Sequence, residues 1–248
     1  LDTGVNWPVH SGLGALIAGM AAGLPVRLNS PVTKITERPG GVRVEGPAGA
    51  LEARAAIVTL STNVLLSGAV ALPPGSARGL LDHMAYVPCG SYEKVALALD
   101  RLPEEVAGRH GIGIGTGEGP QTPWFQAVGG SAPMLILHIA GDNARALVAA
   151  GEVAMKEEAI RTLQRAFGAD IRKRVTAAAV TGWQENPLIR GGYSFTLPGH
   201  PDARMRMITA DTGRIAFAGE AFSVAFQATA HGAFQTGQAA VARLAASL

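Results

Sequence analysis

The sequence predicts a mixed α/β protein in which two domains are interleaved along the chain. Stretches of alternating apolar and polar residues, such as "VTKITE" and "VRVE", are typical of strands with one buried face. The continuous apolar run "AAIVTL" is typical of a strand covered on both sides, and a long helix is predicted at the end of the chain. We therefore expect segments 1–77 and 183–248 to form one domain and segment 78–182, with a mixed sheet, to form the other.

The composition bounds the function classes. Of the 248 residues, 48% are hydrophobic and 16% charged, which is enough for a sizeable core. The net charge of +2 comes from dispersed Lys and Arg, so a nucleic-acid partner is disfavoured. The single cysteine, Cys89, excludes an internal disulfide, and the six histidines lack metal-ligand spacing. Since we find neither a transmembrane run nor a signal peptide, we expect a cytoplasmic protein.

The first elements follow from local patterns. Ser11 can cap a short helix in which Leu13, Leu16, Ile17 and Met20 share one face, and Gly23 to Pro25 would end it. Strands are then predicted at "VRL", "VTKITE", "GVRVEG" and "LEARAAIVTL". The break at Pro39-Gly40-Gly41 predicts that the two middle strands form a hairpin.

The later elements are longer. "SYEKVALALD" and "MLILHIA" predict strands on either side of the Gly-rich stretch "HGIGIGTGEGPQTP". A charged helix is predicted over 152–167, with Val153, Ile160, Leu163 and Phe167 buried and Gly168 closing it. "VTAAAVTGW" and "RIAFAG" predict two further strands before the final helix.

Two familiar motifs are excluded. The glycines from Gly111 to Gly119 have neither the spacing of a dinucleotide fingerprint nor a following helix, so a surface loop is predicted there. Ser and His residues occur without a GxSxG nucleophile elbow, which disfavours that type of hydrolase.

Three other stretches are candidates for chemistry. Gly219-Glu220 follows a buried strand, and the helix after it begins with small residues, an arrangement that suits an anionic ligand but also a plainly packed terminal helix. Trp183 and Tyr193 flank a Gly-Gly pair, either as part of a site or as plugs of a loop onto the core. Lys94 interrupts an apolar strand, where it either faces outward or carries its charge into a pocket.

Taken together, these stretches resemble the flavin-containing amine oxidase family of monoamine, polyamine and L-amino-acid oxidases. "RIAFAGEAFSVAFQATAHGAFQTGQAA" resembles the family's C-terminal flavin motif, and "WQENPLIRGGYSFTLPG" resembles its Trp and Gly/Tyr/Ser block. "YEKVALALD" resembles the strand whose lysine holds a water against flavin N5, and "LPVRLNSPVTKITERPGGVRVEG" the segment that contacts adenine. The resemblance implies that 1–77 and 183–248 are parts of a Rossmann-like FAD-binding domain and that 78–182 is an α+β substrate domain.

The resemblance also implies residue roles. Lys94 would order the water at N5, Trp183 would lie beside the isoalloxazine, and Tyr193 would form one wall of an aromatic cage for the amine. Glu220 would serve the ribityl–pyrophosphate region, Ala230 the flavin edge and Val32 the adenine side. The implied catalytic residues are Lys94, Tyr193, Trp183 and Thr229, and the implied cofactor-binding residues are Val32, Gly219, Glu220, Thr229, Ala230 and Ala233.

Three departures from the family pattern refine these expectations. Gly192 stands where monoamine oxidases carry the cysteine that tethers flavin, so non-covalent FAD is expected. Thr229 stands where they carry the second cage tyrosine, so a polyamine-oxidase-like or other amine pocket is expected instead of an aromatic sandwich. The sequence carries no GxGxxG unit, so we expect a second polypeptide or a missing N-terminal portion to supply it, and poor FAD binding by this chain alone.

The resulting hypothesis is oxidation of a C–N bond in a small-molecule amine by hydride transfer to flavin N5, followed by imine hydrolysis. Two alternatives stay open at this point. One is a FAD-dependent C–C desaturase or protoporphyrinogen-oxidase-like enzyme, and the other is a non-catalytic assembly subunit.

Overall fold

The structure, a computed structural model, describes residues 9, 11–75, 77–106, 108–109, 111–113 and 123–248. His10, His110 and most of the predicted Gly-rich loop lie outside the described residues. The strands are β1 Lys34–Arg38, β2 Gly41–Gly46, β3 Gly49–Ala53, β4 Ala56–Val58, β5 Tyr92–Leu99, β6 Gly111–Gly113, β7 Trp124–Val128, β8 Met134–Ala140, β9 Val175–Val180 and β10 Ile215–Phe217. The helices are α1 Leu13–Met20, α2 Thr62–Leu66, α3 Arg78–Met84, α4 Gly141–Ala150, α5 Glu152–Phe167, α6 Ala203–Thr209 and α7 Ala230–Ser247.

The predicted mixture of helices and sheets is confirmed, and the described strands form three sheets. β1, β2 and β3 make an antiparallel sheet whose first hairpin turns at Pro39-Gly40, as the sequence predicts. β4 pairs in parallel with β10, which joins two segments that lie far apart in the sequence. The predicted single strand "LEARAAIVTL" is wrong, because the chain leaves the first sheet at Arg54 and its second half joins β10.

The largest sheet has the order β6-β7-β8-β5-β9, and all of its neighbouring strands are antiparallel. The prediction of a mixed sheet in the middle of the chain is therefore wrong. β8 and β9 do run in the same direction, as a helical crossover between them requires, but β5 lies between them, so no two neighbours are parallel.

Helices α4 and α5 cover one face of this sheet and complete its core. The limits predicted for α5 are confirmed, and Ile160 and Leu163 are buried as expected. Val153 is 76% exposed, contrary to the prediction, because the buried stripe of the helix begins only at Met155 and leaves the first turn in solvent. Phe167 is partly buried against the same core.

Helix α1 forms where predicted, but its surroundings differ from the prediction. Gly12, not Ser11, is its N-cap residue, and no side chain caps the helix. Its apolar residues lie between 46% and 52% exposed, since no described element packs on them: Leu13, Leu16, Ile17 and Met20. The predicted "VRL" strand is absent from the described chain, because residues 26–28 find no ladder partner there.

Three hydrophobic clusters hold the described chain together. One spans residues 95–171 under α4 and α5, and a second joins residues 35–87 to residues 203–222. A third, smaller cluster packs Ala240 and Leu244 of α7 on Ala216 and Ala218. This division agrees with the interleaved layout, whose limits at 77 and 182 stay a prediction. Among the described residues, none of the helices combines the length and hydropathy that crossing a bilayer requires.

Candidate active site

One face of the five-stranded sheet carries a row of polar and aromatic side chains. Lys94 on β5 lies opposite His138 on β8, which in turn lies opposite Trp124 on β7. Because strand residues alternate between faces, the neighbours Val95 and Leu137 point the other way, into the core under the helices. The alternation that buries the apolar residues therefore places this row on the opposite face.

Lys94 points toward Trp183 and is partly buried. Its Nζ lies 5.7 Å from the centroid of the Trp183 ring, within the range of a cation–π contact. Its backbone amide donates to the Thr181 hydroxyl at 2.8 Å, which fixes the strand to the residues just before Trp183. Two of the predicted site residues, Lys94 and Trp183, are thus in direct contact.

A buried carboxylate next to Lys94 holds the turn that carries Trp183. Glu93 is fully buried and accepts hydrogen bonds from the backbone amides of Trp183 at 3.2 Å and Gln184 at 2.8 Å, and from the Thr181 hydroxyl. These bonds compensate for the cost of burying its charge. Glu93 was not among the predicted site residues, although a carboxylate at a core-facing position of an apolar strand is a detectable signal.

Tyr92 and His138 form a hydrogen-bonded pair beside Lys94. The Tyr92 hydroxyl lies at His138 Nδ1, while His138 Nε2 is buried without a partner among the described residues. Burial, reinforced by the charge of Lys94, lowers the pKa of His138 to about 4, so its ring is neutral at pH 7. Burial, followed by repulsion from Tyr193, raises the pKa of Tyr92 to about 12, so the phenol keeps its proton.

Aromatic contacts extend this pair in two directions. The Tyr193 ring lies 5.1 Å from the Tyr92 ring, and the Trp124 ring meets His138 edge-on at 4.5 Å. Tyr193 is 44% exposed, so one side of it is open to a ligand. The predicted residue Tyr193 therefore belongs to the same cluster as Lys94 and Trp183, whereas Tyr92, His138 and Trp124 were not predicted.

The Gly191-Gly192 pair permits the close approach that the sequence analysis anticipated. A Cβ on Gly192 would lie 2.5 Å from Tyr92 Cβ, and one on Gly191 would lie 2.9 Å from Cys89 Cβ. Asn63 donates to the carbonyl of Arg190 at 2.7 Å and helps to hold this residue in its left-handed conformation, φ 60°. Glycine is required here so that Tyr193 can pack on β5.

Glu220 clamps this segment to the beginning of α7. Its carboxylate accepts hydrogen bonds from the Ser194 amide at 2.8 Å, the Ser194 hydroxyl at 2.9 Å and the Ala228 amide at 2.7 Å. Gly219, just before it, has the positive φ of 137°, and both its amide and its carbonyl lie 3.0 Å from the Thr236 hydroxyl. Glu220 thus connects the residue after Tyr193 to the loop that enters the helix.

At the beginning of α7, Thr229 caps the helix and the Ala230 amide is left without a described partner. The Thr229 hydroxyl donates to the Phe226 carbonyl at 2.7 Å and accepts from the Gly232 amide at 3.1 Å, so it is the helix N-cap. This engagement ties up the hydroxyl that the sequence analysis had placed among the catalytic groups. The Ala230 backbone amide, by contrast, donates to no described residue, and Ala233 is partly buried one turn further on.

Val32 lies apart from these groups, in an apolar cleft of about 570 Å³. The cleft runs along β4 from Val32 and Ile57 to Arg190, the residue that precedes the Gly-Gly pair. Val32 therefore lines a cleft that does not include Lys94 but does include Arg190, in the segment that carries Tyr193. Sequence reasoning had no signal for the part of the cleft contributed by Pro187 and Leu188.

Comparison with protein families gives a match over nearly the whole chain. Residues 3–245 match the family described as flavin containing amine oxidoreductase. The chain is 27% identical over 241 residues to an L-amino acid dehydrogenase of Synechocystis sp., which covers 94% of this chain and 50% of that protein. It is 26% identical over 223 residues to polyamine oxidase 2 of Arabidopsis thaliana, covering 90% and 45% of the two chains.

Solved structures agree with the fold. A redesigned putrescine oxidase superposes with a TM-score of 0.80 at 20% identity, covering 96% of this chain and 53% of that chain. The cyclohexylamine oxidase of Brevibacterium oxydans superposes with a TM-score of 0.72 at 19% identity, covering 89% and 49%. The chain spans about half the length of the curated relatives that it matches.

Proposed function

Because the chain belongs to the flavin-containing amine oxidoreductases, we propose that it forms the amine-oxidising half of an FAD-dependent enzyme. The reaction is oxidation of a C–N bond in a small-molecule amine. The observation that carries this proposal is the contact of Lys94 with Trp183 on the same sheet face as the Tyr92–Tyr193 pair. A continuous series of hydrogen bonds then leads from Ser194 through Glu220 to the loop before α7.

The cofactor is FAD, held without a covalent bond. A cysteine at position 192 would collide with Tyr92, since even a Cβ there lies only 2.5 Å from Tyr92 Cβ. The Ala230 amide, which donates to none of the residues that the structure describes, lies at the positive end of a helix and suits an electron-rich edge of the flavin. We assign the adenine side to the cleft beside Val32, and the region of Gly219, Glu220 and Ala233 to the ribityl arm.

The protein's part in the reaction is orientation and desolvation of the amine. Bound FAD would supply the acceptor for the hydride that leaves the α-carbon of the amine, and hydrolysis of the imine would complete the reaction. Trp183 and the exposed side of Tyr193 form walls against which the neutral amine is held. Lys94 holds a water at the reacting position with its ammonium group. Thr229 acts as the helix cap that sets the position of the Ala230 amide.

The phosphate-binding part of the site comes from a polypeptide segment carrying GxGxxG, on a second chain or on a longer form of this one. β4 pairs with β10 on one edge, and among the described strands nothing pairs with its other edge. Residues 56–58 of β4 line the apolar cleft, and Ile57 is 38% exposed. An unpaired edge next to an apolar cleft suits a further strand, and we place the strand of the GxGxxG unit there.

Cofactor uptake and anaerobic reduction test the proposal. The chain, purified with a polypeptide that carries the GxGxxG unit, is expected to be yellow and to lose its flavin absorbance when amines are added without oxygen. Bleaching by polyene or porphyrinogen substrates but not by a panel of mono-, di- and polyamines and amino acids would favour the C–C-oxidising alternative. A colourless complex would favour a non-catalytic assembly subunit.

A further inference from the structure

Arg204 is a buried arginine that none of the assigned roles uses. It lies on α6 and is 5% exposed. Its Nη1 donates to the Ser194 hydroxyl oxygen at 3.0 Å and to the Ala221 carbonyl at 2.6 Å. Its Nε and Nη2 are buried and meet no partner in the described part of the chain. Burial of a charged guanidinium with two nitrogens unpaired among the described residues costs free energy, so the position of Arg204 needs a structural reason.

The Ser194 hydroxyl lies between Arg204 and Glu220. It accepts from Arg204 Nη1 at 3.0 Å and donates to Glu220 Oε2 at 2.9 Å. Burial lowers the pKa of Arg204, and the negative charge of nearby Glu220 opposes that shift. Arg204, Ser194 and Glu220 therefore form one hydrogen-bonded relay in which a buried cation faces the carboxylate through a hydroxyl.

Glu220 Oε2 also accepts a hydrogen bond from the backbone amide of Ala228. This residue has the left-handed φ of 61°, which is unfavourable for alanine, and it immediately precedes the cap of α7. The Glu220 bond is the only hydrogen bond that the Ala228 amide makes with described residues. Whatever fixes the Glu220 carboxylate therefore also fixes the entry to the helix.

We propose that Arg204 is a positioning residue, which acts through Ser194 to hold the Glu220 carboxylate and with it the backbone from Ala228 to Ala230. The part of this inference that concerns FAD rests on the proposed function. Arg204 does not touch the cofactor or the amine in this scheme. It links the segment carrying Tyr193, on the substrate side, to the beginning of α7, on the flavin side.

Hydrogen exchange of the Ala228 amide tests the relay without FAD. In the 248-residue chain, Arg204→Met removes the charged hydrogen bond from Arg204 to Ser194, which holds the Glu220 carboxylate. Exchange at Ala228 is therefore expected to become about tenfold faster or more. Arg204→Lys, which keeps the charge and a donor, is expected to restore slow exchange. Arg206→Met, on the same helix but exposed, is the matched control and should leave Ala228 unchanged.

Ser194→Ala provides a second route to the same result if Arg204→Met does not fold. It leaves Arg204 in place but removes the bridging hydroxyl, so Ala228 exchange should again rise about tenfold. The double variant should exchange no faster than either single variant, because both changes break one relay. Amides of β5 and β8 should keep their protection, which separates loss of the relay from general unfolding. Unchanged exchange at Ala228 in both single variants would overturn the proposal.

FAD affinity extends the test to the cofactor. Arg204→Met and Ser194→Ala should weaken FAD binding by a similar factor, about tenfold, while Arg204→Lys and Arg206→Met bind as the parent protein does. If the parent protein with its GxGxxG-carrying polypeptide takes up no FAD, the proposed function fails, and the exchange data still decide the role of Arg204. Full FAD affinity in a variant whose Ala228 amide exchanges fast would refute the link from the relay to the cofactor.

Discussion

Lys94 is the residue whose substitution most directly probes the chemistry. Its Nζ faces the Trp183 ring from a partly buried position, so Lys94→Met removes a charge while keeping most of the packing volume. We expect flavin reduction or reoxidation in the complete enzyme to slow about a hundredfold, the usual cost of losing one preorganised electrostatic group. Stopped-flow absorbance of the two half-reactions measures this.

The control for this substitution is Lys173→Met. Lys173 pairs with Asp170 on an exposed surface, with a side chain 81% exposed, and surface pairs of this kind contribute little. Both half-reactions should therefore run at the parent rate. If Lys94→Met also left both rates unchanged, the role that we assign to Lys94 would be wrong.

His138 gives a prediction about pH. Burial and the charge of Lys94 lower its pKa from 6.5 to about 4 in the folded protein. Between these two values the unfolded chain binds more protons than the folded one, so the free energy of unfolding rises with pH across this window. We expect His138→Gln to lose that part of the pH dependence. Urea unfolding at pH 4.5 and 6.5 measures it, and parallel pH slopes for both proteins would contradict the neutral buried state of His138.

At the scale of single residues, the site residues that belong to sequence motifs were predictable, but the residues that contact them in the structure were not. Lys94, Trp183 and Tyr193 stand out in quoted stretches, and the structure brings them together. His138 and Trp124 join them only because of strand register, which depends on where each hairpin turns. A lone histidine in "MLILHIA" carries no sign of that register.

The segment that carries Tyr193 packs on β5 so closely that glycine is required. Gly192→Ala would place a Cβ 2.5 Å from Tyr92 Cβ, an atom next to the backbone that cannot turn aside. We expect this substitution to lower the free energy of unfolding by about 1–3 kcal/mol, the usual cost of overpacking. Chemical denaturation measures the loss, and the Tyr92–His138 pair should be displaced with it.

Gly182→Ala is the matched control for this element. Gly182 lies between β9 and Trp183, and a Cβ there would meet nothing within 4 Å. The control should therefore change stability by no more than about 0.5 kcal/mol. Equal unfolding midpoints for the two alanine variants would show that the segment can move away from β5.

Elements with a clear sequence pattern were predictable, whereas helix α4, of ten residues, and the shorter helices α3 and α6 were not. The limits of α5 and β8 match the predictions. A consistent pattern over sixteen or seven residues is a stronger signal than the preference of any single residue within it. Helices α3 and α6, of seven residues each, were missed, since fewer than two turns carry little periodicity. This also explains why Arg204 was missed: a charged residue on an unrecognised helix gives no sign of burial.

The distribution of apolar surface is a property of the whole molecule. The three hydrophobic clusters leave the apolar face of α1 and Ile57 of β4 uncovered by the described residues. Composition indicated a sizeable core but not which surfaces would stay open. That depends on the relative placement of segments far apart in sequence, such as β4 and β10.

The unpaired edge of β4 is where we propose that the GxGxxG-carrying polypeptide associates. Ile57→Lys would put a charge at the border of the apolar cleft, where a strand of the GxGxxG-carrying polypeptide is proposed to pair. We expect the dissociation constant of that complex to rise about tenfold or more, because burying an unpaired ammonium is costly. Val153→Lys is the matched control, since Val153 is 76% exposed on α5, outside the proposed interface. Analytical ultracentrifugation with both polypeptides measures the complex, and equal association of the two variants would place the interface elsewhere.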